Sequence, residues 1–313
     1  MRYARLGRSA LQVSRLILGT LNLGVRTTRE EGFALLDAAL DHGINTVDTA
    51  NDYGWQHHKG FTEEFLGDWL AKGDGRRDKV VLATKVCNPM SDWPNDSGLS
   101  IRNIIGSCER SLRRLRTDWI DLYQMHRVDP HASWDEVWQA MDILIRQGKV
   151  RYVGSSNFAG WNIAAGQETA KRVGGLGLVS EQCVYNLVAR AAEAEVLPAA
   201  RAYGVSVLAW SPLHGGLLGG ALRKLAEGSA VKTAQGRAME ALPRWRPKLE
   251  AYEEFCAGSG LDPAEAALAW VLRRPGITAG VIGPRTAAHL DGAVRALDLD
   301  VPEELGKIFG EAG

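Results

Sequence analysis

From Leu16 to about Leu297 the chain alternates short runs of branched apolar residues with longer segments of helical period. Few folds accommodate that rhythm. Strand, helix, strand in regular succession implies a parallel sheet, because each helix carries the chain back to the starting edge. Eight runs read as strands: residues 16–19, 44–49, 80–85, 120–126, 151–155, 178–182, 205–210 and 279–282. The helices between them announce their own starts. Thr28 with Glu31, Ser133 with Glu136, and Asp262 with Glu265 each give an N-cap residue followed three positions later by a carboxylate, and Pro263 suits a first helical turn. Gly43, Gly148 and the Pro275-Gly276 pair mark stops.

Eight strands alternating with eight helices can close into a barrel. A doubly wound sheet of this size should instead show a nucleotide fingerprint after its first strand, yet Leu18, Gly19 and Thr20 lead straight into a loop with no GxGxxG. The first fifteen residues fit a β-hairpin turning at Gly7-Arg8-Ser9. The expected fold is therefore α/β, a (β/α)8 TIM barrel with an N-terminal β-hairpin plugging its lower mouth. Its 313 residues would allow two domains, but no Pro-, Gly- or Ser-rich linker divides them, so residues 1–313 read as one domain.

Composition narrows the function classes. Lysine plus arginine and aspartate plus glutamate both number 37, giving zero formal net charge, which argues against nucleic-acid and anionic-membrane partners. No apolar run approaches the ~18 residues of a membrane span. Cys87, Cys108, Cys183 and Cys256 are dispersed without CxxC or histidine pairing, so neither a disulfide nor a metal site is expected, and a reducing cytoplasm is. Small-molecule chemistry is the class that remains.

Three neighbouring strand runs end in, or are closely followed by, titratable side chains: Asp48 and Tyr53 after the second, Lys85 at the third, His126 at the fourth. In a barrel those ends meet at one face, where chemistry is placed. Taken singly, an aspartate there is more often a turn residue, and a lysine is usually solvated. Together they complement one another. A phenol is a poor acid near neutral pH and needs a cationic neighbour, here Lys85, to lower its pKa and stabilise its phenolate. Asp48 would keep that ammonium charged in a dry site. His126 would orient a substrate oxygen or tune the same proton. The implied chemistry is proton delivery to a carbonyl oxygen.

These segments also resemble a known family. DTANDYG at 48–54, ATK at 83–85, DLYQMH at 121–126, GSSNF at 154–158 and WSPLHGGLLGG at 210–220 are similar to aldo-keto reductase motifs, in order and spacing, over essentially the whole chain. The resemblance implies hydride transfer from a reduced nicotinamide to an aldehyde or ketone, with Tyr53 as proton donor. It also implies a set of cofactor residues. Gly19 and Thr20 match positions near the nicotinamide; Ser156, Asn157 and Gln182 match its carboxamide contacts; Trp210 matches the aromatic that stacks on the ring. Ser211, Leu213 and Gly215 match the pyrophosphate loop. Gly283 and Arg285 of GPRT match the segment around the adenosine phosphate, Arg285 favours NADPH over NADH, and His289 in the same segment stands at a position that is commonly Gln or Arg. Gly292 and Ala293 depart from the pattern, standing where relatives carry a Glu-Asn pair that holds the adenine.

Substrate identity sits in the loops. Trp55 and Trp93 are candidate pocket walls, while His57 and His58 read as a solvated loop. DWPND, RTDWIDLYQMH and SPLHGGLLGG resemble a bacterial branch that includes reductases of nucleotide-linked keto-deoxysugars. That branch also resembles the β subunits of potassium channels, so a cofactor-binding regulatory subunit is the alternative reading. Sequence alone leaves the oligomeric state open.

Overall fold

In the computed structural model, which describes residues 1–229 and 236–310, eight parallel strands close into a barrel. The elements run β1 (Tyr3–Arg5), β2 (Gln12–Ser14), β3 (Leu16–Gly19), β4 (Thr46–Asp48), β5 (Val81–Val86) and β6 (Ile120–Met125). They continue with β7 (Val150–Ser156), β8 (Leu178–Val184), β9 (Ser206–Trp210) and β10 (Ile277–Ile282). Strands β3 to β10 form the barrel in chain order, with β10 pairing back onto β3. The expected fold is the observed one.

Side chains alternate across each strand, so every second residue enters the barrel. Ile17, Val81, Ala83, Leu122, Val179, Leu208, Ala279 and Val281 fill its lower half as one apolar cluster. Two residues further along the inward face of β5 and β6 stand Lys85 and Gln124. The outward faces pack against the surrounding helices in a second, larger core. Apolar floor and polar mouth thus follow from a single period-two pattern.

The hairpin closes the floor. β1 and β2 pair antiparallel, and Leu6 N–H donates to Leu11 O across a turn that includes the expected Gly7 and Arg8. Leu6 and Val13 join the interior cluster. Gly7 has φ +56°, and a Cβ there would lie 2.4 Å from Val179 O, so the turn can approach the barrel this closely only as glycine.

The structure corrects the sequence reading in three respects. Strand β4 begins at Thr46 rather than residue 44, β10 begins at Ile277 rather than residue 279, and His126 lies just beyond β6. Among the described residues two α-helices, Ala221–Ala226 and Arg237–Gly258, intervene between β9 and the helix Pro263–Arg273, so the barrel is more than an eight-fold repeat. Of the three cap pairs only Thr28 and Glu31 reciprocate. Glu136 instead accepts from Ile101 N of another helix, and Glu265 pairs with the charged Arg295, so both carboxylates are taken up by partners distant in sequence.

Leu6→Ala should destabilise the protein by about 2–5 kcal/mol, because the residue is wholly buried in the plug and its removal leaves a cavity. Urea unfolding checks this. A loss below about 1 kcal/mol would show that the hairpin is not part of the packed interior.

Candidate active site

Parallel register sets the geometry. Asp48 is level with Ala83, one inward position before Lys85, while Lys85 is level with Gln124 and Ser156 with Gln182. Lys85 Nζ donates to Asp48 Oδ2 at 2.5 Å and to Thr49 O at 2.9 Å, and reaches Tyr53 Oη at 3.5 Å. Both ionic partners are buried. Such a pair persists only when its remaining polar atoms are satisfied. Asp48 Oδ1 accepts from Gln124 Nε2 at 2.9 Å and from Gln182 Nε2 at 3.0 Å, which completes the carboxylate. Gln124 was absent from the sequence reading, although its place inside DLYQMH on the inward face was the available signal. Gly154 makes room for this layer, since a Cβ there would lie 2.5 Å from Ser180 Oγ and 3.2 Å from Gln124 Cγ.

The four expected residues converge, and three of them, Lys85, Tyr53 and His126, are shifted by their surroundings. Burial is the largest single influence on Lys85 and opposes its charge, but Asp48 and Tyr53 together outweigh it and raise the lysine pKa. Lys85 stays an ammonium. For Tyr53 the expectation that Lys85 lowers the phenol pKa is reversed: burial raises it, Asp48 and Asp52 add to the rise, and the lysine only partly offsets them. The 3.5 Å contact is too long to do more. Tyr53 is therefore a proton-loaded phenol. His126 is pushed down to about 3 by burial, then by Lys85 and Arg127, so its imidazole is neutral at neutral pH. Its ring faces that of Tyr53 edge-on, with centroids 5.8 Å apart.

Next to this cluster lies a cavity of about 560 Å³. Its walls include Ser211, Leu213, Gly215, Gly283, Arg285 and His289, which brings six expected cofactor residues from two separate segments into one groove. Arg285 is half-buried and makes no hydrogen bond or ion pair among the described residues. Gly292 and Ala293 line the same groove, and a Cβ on Gly292 would lie 3.2 Å from Glu265 Oε1. A carboxylate from a neighbouring helix thus reaches the end where the sequence had lost one.

The remaining cofactor candidates link the groove to the four. Trp210 Nε1 donates to Asn157 Oδ1 at 3.2 Å, and Asn157 Nδ2 donates to His126 O and Ser156 Oγ, both at 3.0 Å. Ser156 Oγ donates to Gln182 O at 2.7 Å. Arg237 was missed, because it opens one of the unforeseen helices; its guanidinium lies 4.8 Å from the Trp210 ring centroid. Thr20 is wholly buried and donates its hydroxyl to Asp48 O at 3.0 Å, while Gly19 pairs beside Asp48, so both buttress the aspartate from behind. Trp55 stands edge-on to Tyr53 at 6.4 Å, whereas Trp93 is 77% exposed and makes no ring contact with the four. His57 and His58 are more engaged than a solvated loop: His57 Nε2 lies 3.2 Å from Gly24 O, and His58 Nε2 lies 2.9 Å from Glu64.

The aldo/keto reductase family pattern matches residues 15–308. The chain belongs to that family. It is 47% identical to an uncharacterized oxidoreductase, YrpG, of Bacillus subtilis, over 99% of this chain and 95% of that protein. It is also 32% identical to a versiconal hemiacetal acetate reductase of Aspergillus parasiticus, covering 97% and 95% of the two chains. A putative aryl-alcohol dehydrogenase of Schizosaccharomyces pombe is 33% identical, over 96% and 93%. As an aldo/keto reductase the protein is an NAD(P)H-dependent oxidoreductase acting on carbonyl compounds. None of its described helices is long and apolar enough to cross a membrane.

One more residue supports this reductase's site and was missed by sequence. Glu181 is wholly buried on β8, accepting from Phe158 N at 3.0 Å and Ser155 Oγ at 2.5 Å, and so pins the segment that carries Ser156 and Asn157. A glutamate inside the strand LVSEQCV was the clue. Burial raises its pKa from 4.5 to about 8. A raised folded-state pKa gives stability that is full below about 4.5 and is lost as pH climbs through about 8. Glu181→Gln keeps a neutral side chain, so the variant should gain on the wild type by up to about 1.4 kcal/mol per pH unit across that window. Urea unfolding at both ends of the window measures it, and parallel pH dependences would refute the assignment.

Proposed function

We propose that the protein reduces an aldehyde or ketone to an alcohol with NADPH, and that Tyr53 supplies the proton. The observation that carries this reading is the Tyr53 hydroxyl, loaded with its proton, 3.5 Å from an ammonium that Asp48 holds charged, beside a neutral His126. When bound, the reduced dinucleotide supplies a hydride to the carbonyl carbon. Negative charge then builds on the carbonyl oxygen. Tyr53 Oη gives its proton there, the O–H bond of the alcohol forms, and the phenolate is left facing Lys85, whose charge stabilises it. The half-buried tyrosine regains a proton from solvent. His126, being neutral, can hydrogen-bond the substrate oxygen without competing as an acid.

The groove fits a dinucleotide. Gly215 and Gly216 have positive φ and expose their backbone to a phosphate, and Arg285 offers an uncommitted guanidinium for the 2′-phosphate that distinguishes NADPH. Ser156, Asn157, Gln182 and Trp210 would hold the nicotinamide end, with Gly19 and Thr20 behind it. His289 and Glu265 would flank the adenosine end. Trp55 beside Tyr53, with Trp93 on the adjoining loop, supports a substrate with a flat or ring-shaped body.

Tyr53→Phe should lower kcat by about 10²- to 10⁴-fold and leave NADPH affinity, read by fluorescence quenching, nearly unchanged. Unaltered turnover would remove Tyr53 from the reaction. The carbonyl panel for this assay includes simple aldehydes and nucleotide-linked keto-deoxysugars, the substrates favoured by the DWPND-containing segments. Cofactor binding with negligible turnover on every member would favour the regulatory-subunit reading. Arg285→Ala should weaken NADPH binding by about ten- to a hundredfold and NADH binding little, and equal losses would show that the 2′-phosphate is read elsewhere.

A further inference from the structure

We propose that Asp52 and Asn88 act as positioning residues that lock His126 in the tautomer carrying its proton on Nε2. The inference rests on the reading that His126 serves the substrate oxygen, and it assigns the machinery that prepares it. Asn88 is buried on the loop after β5, and its Nδ2 donates to Asp52 Oδ2 at 2.8 Å. The same amide nitrogen meets His126 Nδ1 at 3.1 Å. Two hydrogens of one NH2 group therefore bridge a carboxylate and an imidazole.

The carboxylate fixes which way the amide faces. Turned over, Asn88 would set its carbonyl oxygen against Asp52 Oδ2 at that same short distance, two acceptors with no proton between them. With the NH2 group facing His126, Nδ1 must be the bare, accepting nitrogen. A neutral imidazole has one ring proton, so it resides on Nε2. His126 is neutral for the reasons already given. Nε2, on the opposite edge of the ring, meets no donor or acceptor among the described residues, which leaves its N–H for the substrate. The rival tautomer would point Nδ1–H at Asp52 Oδ1, but that oxygen is 3.6 Å away and the Asn88 N–H stands against it.

The backbone holds this arrangement under strain. Cys87, directly before Asn88, has φ +119°, a region that residues with a side chain rarely occupy, and Gly98 N–H donates to Cys87 O at 2.8 Å to keep it there. That turn carries Asn88 off the end of β5 and back over the mouth. Asp52 precedes Tyr53, Asn88 follows Lys85 by three residues, and His126 lies just beyond β6, so the segments after β4, β5 and β6 contribute one member each.

Histidine ¹⁵N NMR of the full-length protein tests the lock without turnover. The wild type should show His126 with a protonated Nε2 and a bare Nδ1, whereas Asp52→Asn and Asn88→Ala should each admit the Nδ1–H form. Both variants should also lose about tenfold in kcat while NADPH affinity, read by fluorescence quenching, stays put. A wild-type spectrum with the proton on Nδ1 would overturn the proposal whether or not the variants fold, as would variants that keep a pure Nε2–H form. Loss of the tautomer preference with unchanged kcat would uphold the lock and instead count against the role given to His126 in the reaction.

Discussion

An ammonium and a carboxylate cannot be carried into a barrel without several kcal/mol of desolvation cost per ion, so the Lys85–Asp48 pair makes demands on everything around it. Those demands explain residues that touch no substrate. Gln124 and Gln182 both donate to Asp48 Oδ1, and Thr49 offers its backbone carbonyl to the ammonium. Three neighbouring parallel strands and a fourth across the barrel must keep register for these bonds to exist together. Removing one partner would leave a buried charge uncompensated, a larger penalty than the pair's own net contribution.

That register depends in turn on what lies below. The lower barrel is filled with valine, leucine, isoleucine and alanine and sealed by Leu6 and Val13 of the hairpin, giving the polar layer a floor that does not yield. Interiors packed this closely transmit small shifts instead of absorbing them. A misplaced plug would therefore be felt at the mouth, through the inward faces of β5 and β6, where each polar residue sits one alternation above an apolar one.

Much of this was legible in the sequence because it rests on periodicity. Alternation gave the parallel strands, and the change from apolar to titratable residues at 48, 85 and 126 marked the mouth. What escaped depends on burial and on contacts between distant segments. The sign of the Tyr53 shift could not be read from neighbours alone, since burial outweighs the lysine that the spacing revealed. Asp52 and Asn88 look like ordinary loop residues until the fold sets them 2.8 Å apart. The helix Arg237–Gly258 carries Pro243 and Pro247, which interrupt a helical reading, so Arg237 and its contact with Trp210 were hidden too. Glu265 illustrates the reverse case: the sequence showed the missing Glu-Asn pair, and only the fold showed another carboxylate arriving from the preceding helix.

Three titratable groups within one small volume are held in three different ways. Lys85 keeps its charge through a buried partner, Tyr53 keeps its proton through burial, and His126 is stripped of its proton by burial and by nearby cations. Consequently the ammonium–carboxylate pair is neutral as a unit, and the phenol and imidazole add no charge to it. A polar but uncharged carbonyl can enter without displacing a counter-ion. In the reaction proposed above, the field that matters arises during the reaction itself: charge would develop on the substrate oxygen, pass to the phenolate as the proton leaves, and meet an ammonium already in place. Because that ammonium needs no movement to respond, its stabilisation falls on the transition state and hardly on the bound ketone or aldehyde, which is the condition for raising turnover instead of tightening ground-state binding.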